Sequence, residues 1–233
     1  MAAAKKTTHK KDKQGSTQRA YQGLRHMLYT KQLVPGQRMA CRDLAEKLGL
    51  SATPIIQALK WLELQGFVRH EANRGYVMAP FSLREIEELY ELRELIEPSL
   101  VPATIDRIDK QGLIQLKAAH DAHLAAERDF HLTERLFKNR DFHMTLASLS
   151  GKTTQIRILQ NIFDMLFLKY GGNYFPISSL SATDQAHQEI YDAVAVRSLE
   201  RAQSILKNHL TNVKIQVMTG IKKVLDEQKR TEF

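Results

Sequence analysis

Apolar residues along this chain recur at three- and four-residue intervals almost everywhere, the spacing of helices with one buried face. The pattern gives way once, around residues 67–78, to two short apolar runs set about a turn. From Thr17, the positions Tyr21, Leu24, Met27 and Leu28 predict a first helix, closed by the turn pair Pro35-Gly36. Leu44, Ala45 and Leu48 predict a second helix over 42–48, with Gly49 stopping it at the C-cap. Ser51 or Thr53 is suited to cap a third, with Pro54 in its first turn, Ile55, Ala58, Leu59 and Leu62 on its inner face and Gly66 at its end. Residues 67–69 and 76–78 read as strands around the turn at 71–75. Three helices followed by a β-ribbon predict a winged helix-turn-helix over 17–79.

After a short linker at 80–82 the signal is helical. Ser82-Leu83-Arg84-Glu85 resembles a capping box opening a helix that carries Ile86, Leu89, Tyr90, Leu92 and Ile96, which Pro98 and Pro102 are expected to bend or interrupt. Further helices are predicted at 110–127, 131–149, 153–170, 183–196 and 199–228. Gly151, then Gly171-Gly172 with Pro176, then Arg197-Ser198 separate the last four. The fold class is mainly α: a winged helix-turn-helix, then an all-α bundle over 83–228. Residues 1–16 have almost nothing to bury and are expected to be a disordered basic tail.

Charge sharpens this division. Residues 1–80 hold 14 Lys/Arg against 5 Asp/Glu, whereas residues 81–233 hold 20 against 21, so the net +8 arises wholly in the first third. Without the lysines of residues 1–15, residues 16–80 still carry +5. One domain is built to face a polyanion and the other is not. The single cysteine, Cys41, fits a reducing compartment, no apolar run reaches the ~18 residues of a membrane span, and the basic N-terminus lacks the apolar stretch of a secretory signal. A cytoplasmic protein with no membrane partner is expected.

In a helix-turn-helix the second helix of the motif enters the major groove and its first residues reach base edges. Here Thr53 can meet a base or a thymine methyl, Gln57 can pair with adenine, and Lys60 can touch the backbone. Arg42, and Arg69, Arg74 and Gly75 in the wing, are placed for phosphates or the minor groove. The plainer alternative for Gln57 and Lys60 is a solvated helix surface. The stretch from Leu33 to Val77 resembles the GntR family of bacterial regulators. The resemblance rests on Pro35-Gly36-Gln37-Arg38, the run from Leu44 to Ser51, Pro54, Ala58-Leu59, Leu62, Gly66-Phe67-Val68 and Arg74-Gly75. It implies binding of double-stranded DNA. This chain departs from it with Ala52 and Ile56 where the family has arginines, and Gln57 where it has glutamate.

The second domain holds six of the nine histidines. Asn139 and His143 lie one turn apart on one helix, and His187 and His209 fall on two others. By spacing alone these are core or surface histidines as readily as metal ligands. From Leu83 to about Val217, however, the chain resembles the effector domain of the FadR subfamily, in the version that binds a metal ion. Glu88 to Arg93 with Glu97, Arg140-Asp141-Phe142-His143 with Leu146, the segment around His187, and Ala202 to Leu210 carry the likeness. The resemblance implies a divalent transition metal, Zn or Ni, held by Asn139, His143, His187 and His209. A small organic acid completing the shell, with Arg93 as its charge partner, is the expected effector; the alternative for Arg93 is a helix ion pair with Glu97. Tyr174, Ser178, Ser179 and Ser181 are pocket-lining or merely solvent-facing. The reading is a ligand-responsive transcriptional regulator, a repressor by resemblance, acting as a homodimer on a palindromic operator and not an enzyme. A metal-dependent enzyme with a DNA-binding head, for which Asp141 and Glu189 are near in sequence but no clear general base stands out, and an effector-blind DNA binder are the alternatives.

Overall fold

A computed structural model describes residues 2–80, 82–126, 132–169 and 180–231, and the chain divides into two compact units, 1–81 and 82–233. The first contains α1 (Ala2–Tyr29), β1 (Arg38–Met39), α2 (Cys41–Leu48), α3 (Ala52–Leu64), β2 (Val68–Glu71) and β3 (Gly75–Met78). Ala20, Leu24, Leu44, Ile55, Leu59 and Leu62 interlock as its core, all but inaccessible to solvent. Gly49, at φ 62°, ends α2 with its N–H on the carbonyls of Ala45 and Glu46, the left-handed turn for which glycine is suited. Ser51 stands at the N-cap of α3 but makes no capping bond through its side chain.

Two details differ from the sequence reading. Residues 2–16, expected to lack regular structure, form the first half of α1; Ala, Lys and Gln favour a helix already nucleated by packing further along. The ribbon also has a third strand: β1 pairs with β3 (Arg38↔Val77, Met39↔Tyr76), giving the order β1-β3-β2. Two residues are too short to leave a periodic trace.

The second unit contains α4 (Leu83–Arg107), α5 (Lys110–Ala125), α6 (Leu132–Ser148), α7 (Thr153–Asp164) with a π-helical turn (Met165–Lys169), α8 (Leu180–Ala195) and α9 (Leu199–Thr231). Val101, Leu116, Phe142, Ile190, Leu206 and Leu210 join α4, α5, α6, α8 and α9 in one core. The Ser82 hydroxyl accepts the Glu85 N–H, as the capping box requires, and Asp109 does the same for Gly112. Among the described helices, none is long and apolar enough to cross a membrane.

Of the two outcomes expected at Pro98 and Pro102, a bend or an interruption, α4 shows no interruption. Each removes one N–H from the ladder, which costs about 3 kcal/mol or more when uncompensated. Compensation is visible. The Pro98 carbonyl, deprived of its partner at Pro102, accepts instead from Gln203 Nε2 of α9 at 2.9 Å. At the far end, Arg197 (φ 54°) donates to the carbonyls of Ile105 and Ile108, both at 2.6 Å, and so closes the last turn.

Candidate functional site

In the first unit, Thr53, Gln57 and Lys60 lie exposed on α3, with Arg42 exposed on α2. Ile56, where an arginine was expected by resemblance, is 38% exposed on the same surface. Gln57 is not wholly uncommitted, since its Oε1 accepts the hydroxyl of buried Thr17 at 2.5 Å. Bidentate pairing to adenine needs both ends of the amide, and while this bond holds Thr17 shares the Oε1 acceptor. In the wing, Arg69 and Arg74 flank Glu71 at 2.6 and 2.7 Å, with their side chains more than half exposed. Gly75 adopts φ 75° as the turn enters β3. A phosphate must compete with Glu71 for both arginines.

In the second unit, α6, α8 and α9 bring His143, His187 and His209 together. Their imidazoles are buried, and one ligand nitrogen from each lies within 4.8 Å of the others. The Nε2 atoms of His187 and His209 both stand 3.3 Å from His143 Nε2. Two nitrogens on a tetrahedral Zn at about 2.0–2.1 Å would be about 3.4 Å apart, so the spacing fits a common metal. Burial drives His187 and His209 well below the ordinary histidine range, with neighbouring imidazoles adding to the effect. Neutral imidazole is the ligating form. Among the described residues His187 Nδ1 is buried without a hydrogen-bond partner, and its ring stacks on Phe142 with centroids 4.2 Å apart. The residues present therefore fit a metal of the borderline class.

Asn139 sits half-buried on α6, one turn before His143. Arg93 is not turned to an open pocket. It is 1% exposed, donates Nε to Glu97 Oε1 at 2.7 Å, and lies over the rings of Phe163 and Tyr90. The ion pair left open by the sequence is the one present. Glu97 was missed as a participant. Its Oε2 accepts the Nδ1–H of His143 at 2.7 Å, and although burial opposes ionisation, Arg93 and then His143 hold its carboxyl down at about 2. His120 and His123 were also missed: both are buried, and the His123 ring lies 4.9 Å from that of His187, with Nδ1 3.4 Å from Asp184. A signal existed. Arg93 and Glu97 continue the buried stripe of Ile86, Leu89, Tyr90, Leu100 and Val101, and His120 and His123 continue that of Leu116. Between α8 and α9, a cavity of about 200 Å³ bordered by Thr183, Glu189, Asn208 and Asn212 has His209 in its wall. Tyr174, Ser178 and Ser179 lie outside the described residues, as does the side chain of Ser181.

A winged helix-turn-helix carried on the same chain as a helical unit with a buried histidine centre defines a DNA-binding transcriptional regulator. Two family patterns agree with that class: bacterial regulatory proteins of the gntR family match residues 16–78, and the FCD domain matches residues 88–212. The chain belongs to the GntR family, in its FCD-domain branch with FadR-like architecture. It is 25% identical over 197 residues to the HTH-type transcriptional regulator YdhC of Bacillus subtilis, covering 82% of this chain and 86% of that one. A GntR regulator from Rhodococcus shares the fold with a TM-score of 0.75 at 24% identity, over 87% of this chain and 97% of that one. McbR/YncC of E. coli does so with a TM-score of 0.75 at 19% identity, over 88% and 97%. The family and these relatives are transcriptional regulators rather than enzymes.

Proposed function

We propose that this regulator is a metal-dependent repressor in the cytoplasm, where its DNA lies. In this reading it works as a dimer on a palindromic operator, with Arg42, Thr53, Gln57, Lys60, Arg69, Arg74 and Gly75 as its DNA-facing set. His143, His187, His209 and Asn139 hold a divalent Zn or Ni ion, and a small carboxylate joins the metal shell as effector. The observation that carries the proposal is the convergence of three neutral imidazoles from three helices. With neutral Asn139 as fourth ligand, the ion's charge is left unneutralised by its protein ligands, which favours an anion. Arg93 adds a positive charge behind the site, although its Nε is committed to Glu97. An acid that prefers one arrangement of the two DNA-binding heads shifts operator affinity by its differential affinity and no more.

Elemental analysis of the purified protein is expected to give about one metal per chain, on the three-histidine donor set. His143→Ala is expected to abolish the metal and its contribution to thermal stability. Footprinting on the operator, with metal-loaded protein and a panel of small carboxylic acids, is expected to reveal an acid that releases the DNA. A metal-free preparation together with an unchanged melting temperature in His143→Ala rejects the metal centre. Binding insensitive to every acid rejects the effector class.

A further inference from the structure

We infer that Glu97, anchored by Arg93, is the positioning residue of the histidine centre: it fixes His143 with its proton on Nδ1 and keeps the Nε2 lone pair aimed at His187 and His209. The inference rests on the metal reading above and assigns it a further part. Three buried groups stand in line. Arg93 Nε donates to Glu97 Oε1, and Glu97 Oε2 accepts from His143 Nδ1, each at 2.7 Å. A carboxylate accepts only, so the proton between Glu97 and His143 belongs to the imidazole nitrogen. His143 Nε2 is then the bare nitrogen, and it is the atom that stands 3.3 Å from both other Nε2 atoms. Metal-ligating histidines are held in this way, with the second ring nitrogen donating to a carboxylate that sets tautomer and ring plane.

A merely structural ion pair is a poor account of these residues. Arg93 and Glu97 are 1% and 3% exposed on a stripe whose other buried members, Thr104 apart, are apolar or aromatic. At such positions hydrophobic residues of similar volume often serve stability as well or better. The arrangement also explains why an arginine is present. An unpaired carboxylate beside the centre would repel an anionic ligand, and Arg93 neutralises it while Phe163 and Tyr90 hold the guanidinium in place. Arg93 thus acts through Glu97, and not as the direct clamp on an effector.

The test uses the full chain and Zn(II), with affinity measured against a chromophoric chelator. Glu97→Gln is expected to bind zinc about 10–100-fold more weakly than wild type, the usual effect of losing such a partner. Its melting temperature in chelator reports any general loss of stability, and the increment on adding zinc is expected to shrink beyond that loss. Glu97→Asp, which restores the carboxylate, is expected to recover part of the affinity. Nitrogen-15 correlation of the histidine rings in the wild-type protein reads the tautomer directly, so the inference stands or falls even if Glu97→Gln does not fold. Zinc affinity in Glu97→Gln equal to wild type, or a His143 proton on Nε2 in the wild-type protein, overturns the inference and leaves the metal centre intact. Wild-type protein that takes up no zinc overturns both.

Discussion

At the scale of single residues, polar side chains on apolar stripes carry most of the information in this molecule. Thr17 is 4% exposed, and its hydroxyl occupies the acceptor end of Gln57. If Gln57 reads a base, Thr17 competes for its acceptor oxygen. Thr17→Val, nearly isosteric, is expected to leave the fold intact and to shift base preference at one operator position by up to about 1–3 kcal/mol. Selection from a randomised operator library measures this, and an unaltered preference at every position contradicts it. The buried imidazoles make a second prediction. Desolvation first, then Arg135 and the neighbouring histidines, hold His123 down at about 3, and burial keeps His187 and His209 well below their ordinary range. Unfolding frees each to protonate near pH 6.5, so the unfolded chain binds more protons below that pH and stability falls with it. The metal-free protein is expected to lose stability as pH drops through 6.5, at a rate that approaches about 1.4 kcal/mol per pH unit for each such histidine below it. Thermal melts in chelator between pH 8 and 5.5 check the sign; a flat profile contradicts it. The convergence of His143, His187 and His209 was legible only through resemblance, because spacing does not reveal which histidines face inward together. The Glu97 partnership was hidden because Arg93 and Glu97, four apart on a helix, look the same as a solvated surface pair.

At the scale of elements, the order of helices and the wing were readable because apolar period, glycine stops and capping residues agree. Gly49, Gly66 and Gly151 all take positive φ at the ends where they were expected to break the chain. What the sequence concealed was compensation at a distance. Two prolines predict a bent or interrupted helix from local rules, and the partner of the Pro98 carbonyl lies 105 residues away at Gln203. Gln203→Ala is expected to leave the Pro98 carbonyl unpaired and to destabilise the second unit by about 1–3 kcal/mol. Denaturant melts of that variant measure the loss. In the double variant Gln203→Ala, Pro102→Ala, where the ladder bond can reform, most of it should be recovered. If Gln203→Ala costs nothing, the continuity of α4 has another source.

At the scale of the whole molecule, charge asymmetry separates the two tasks. The excess of positive charge lies in the part that folds as the DNA-binding unit, and the bundle is close to neutral. Ala52 and Ile56 occupy exposed places on α3 where the family resemblance leads one to expect arginine, so fewer phosphates are neutralised than a typical member would neutralise. Ala52→Arg is expected to tighten binding at low salt. It should also steepen the fall of log affinity against log salt by about 0.9 per monomer for each phosphate gained. Titrations at several ionic strengths report both, and an unchanged slope means residue 52 does not approach the backbone.

The tie between Pro98 and Gln203 has a consequence for how the chain is made. The Glu94 carboxylate also has late partners, accepting from Thr211 and Lys214, which follow it by 117 and 120 residues. During synthesis α4 therefore emerges long before the groups that complete it, with a gap in its ladder and its apolar stripe uncovered. Structure that requires such remote partners forms late and slowly. The sensing unit should acquire its final shape only when the last helix has left the ribosome, whereas the head, complete by residue 81, can fold while the rest is still being translated.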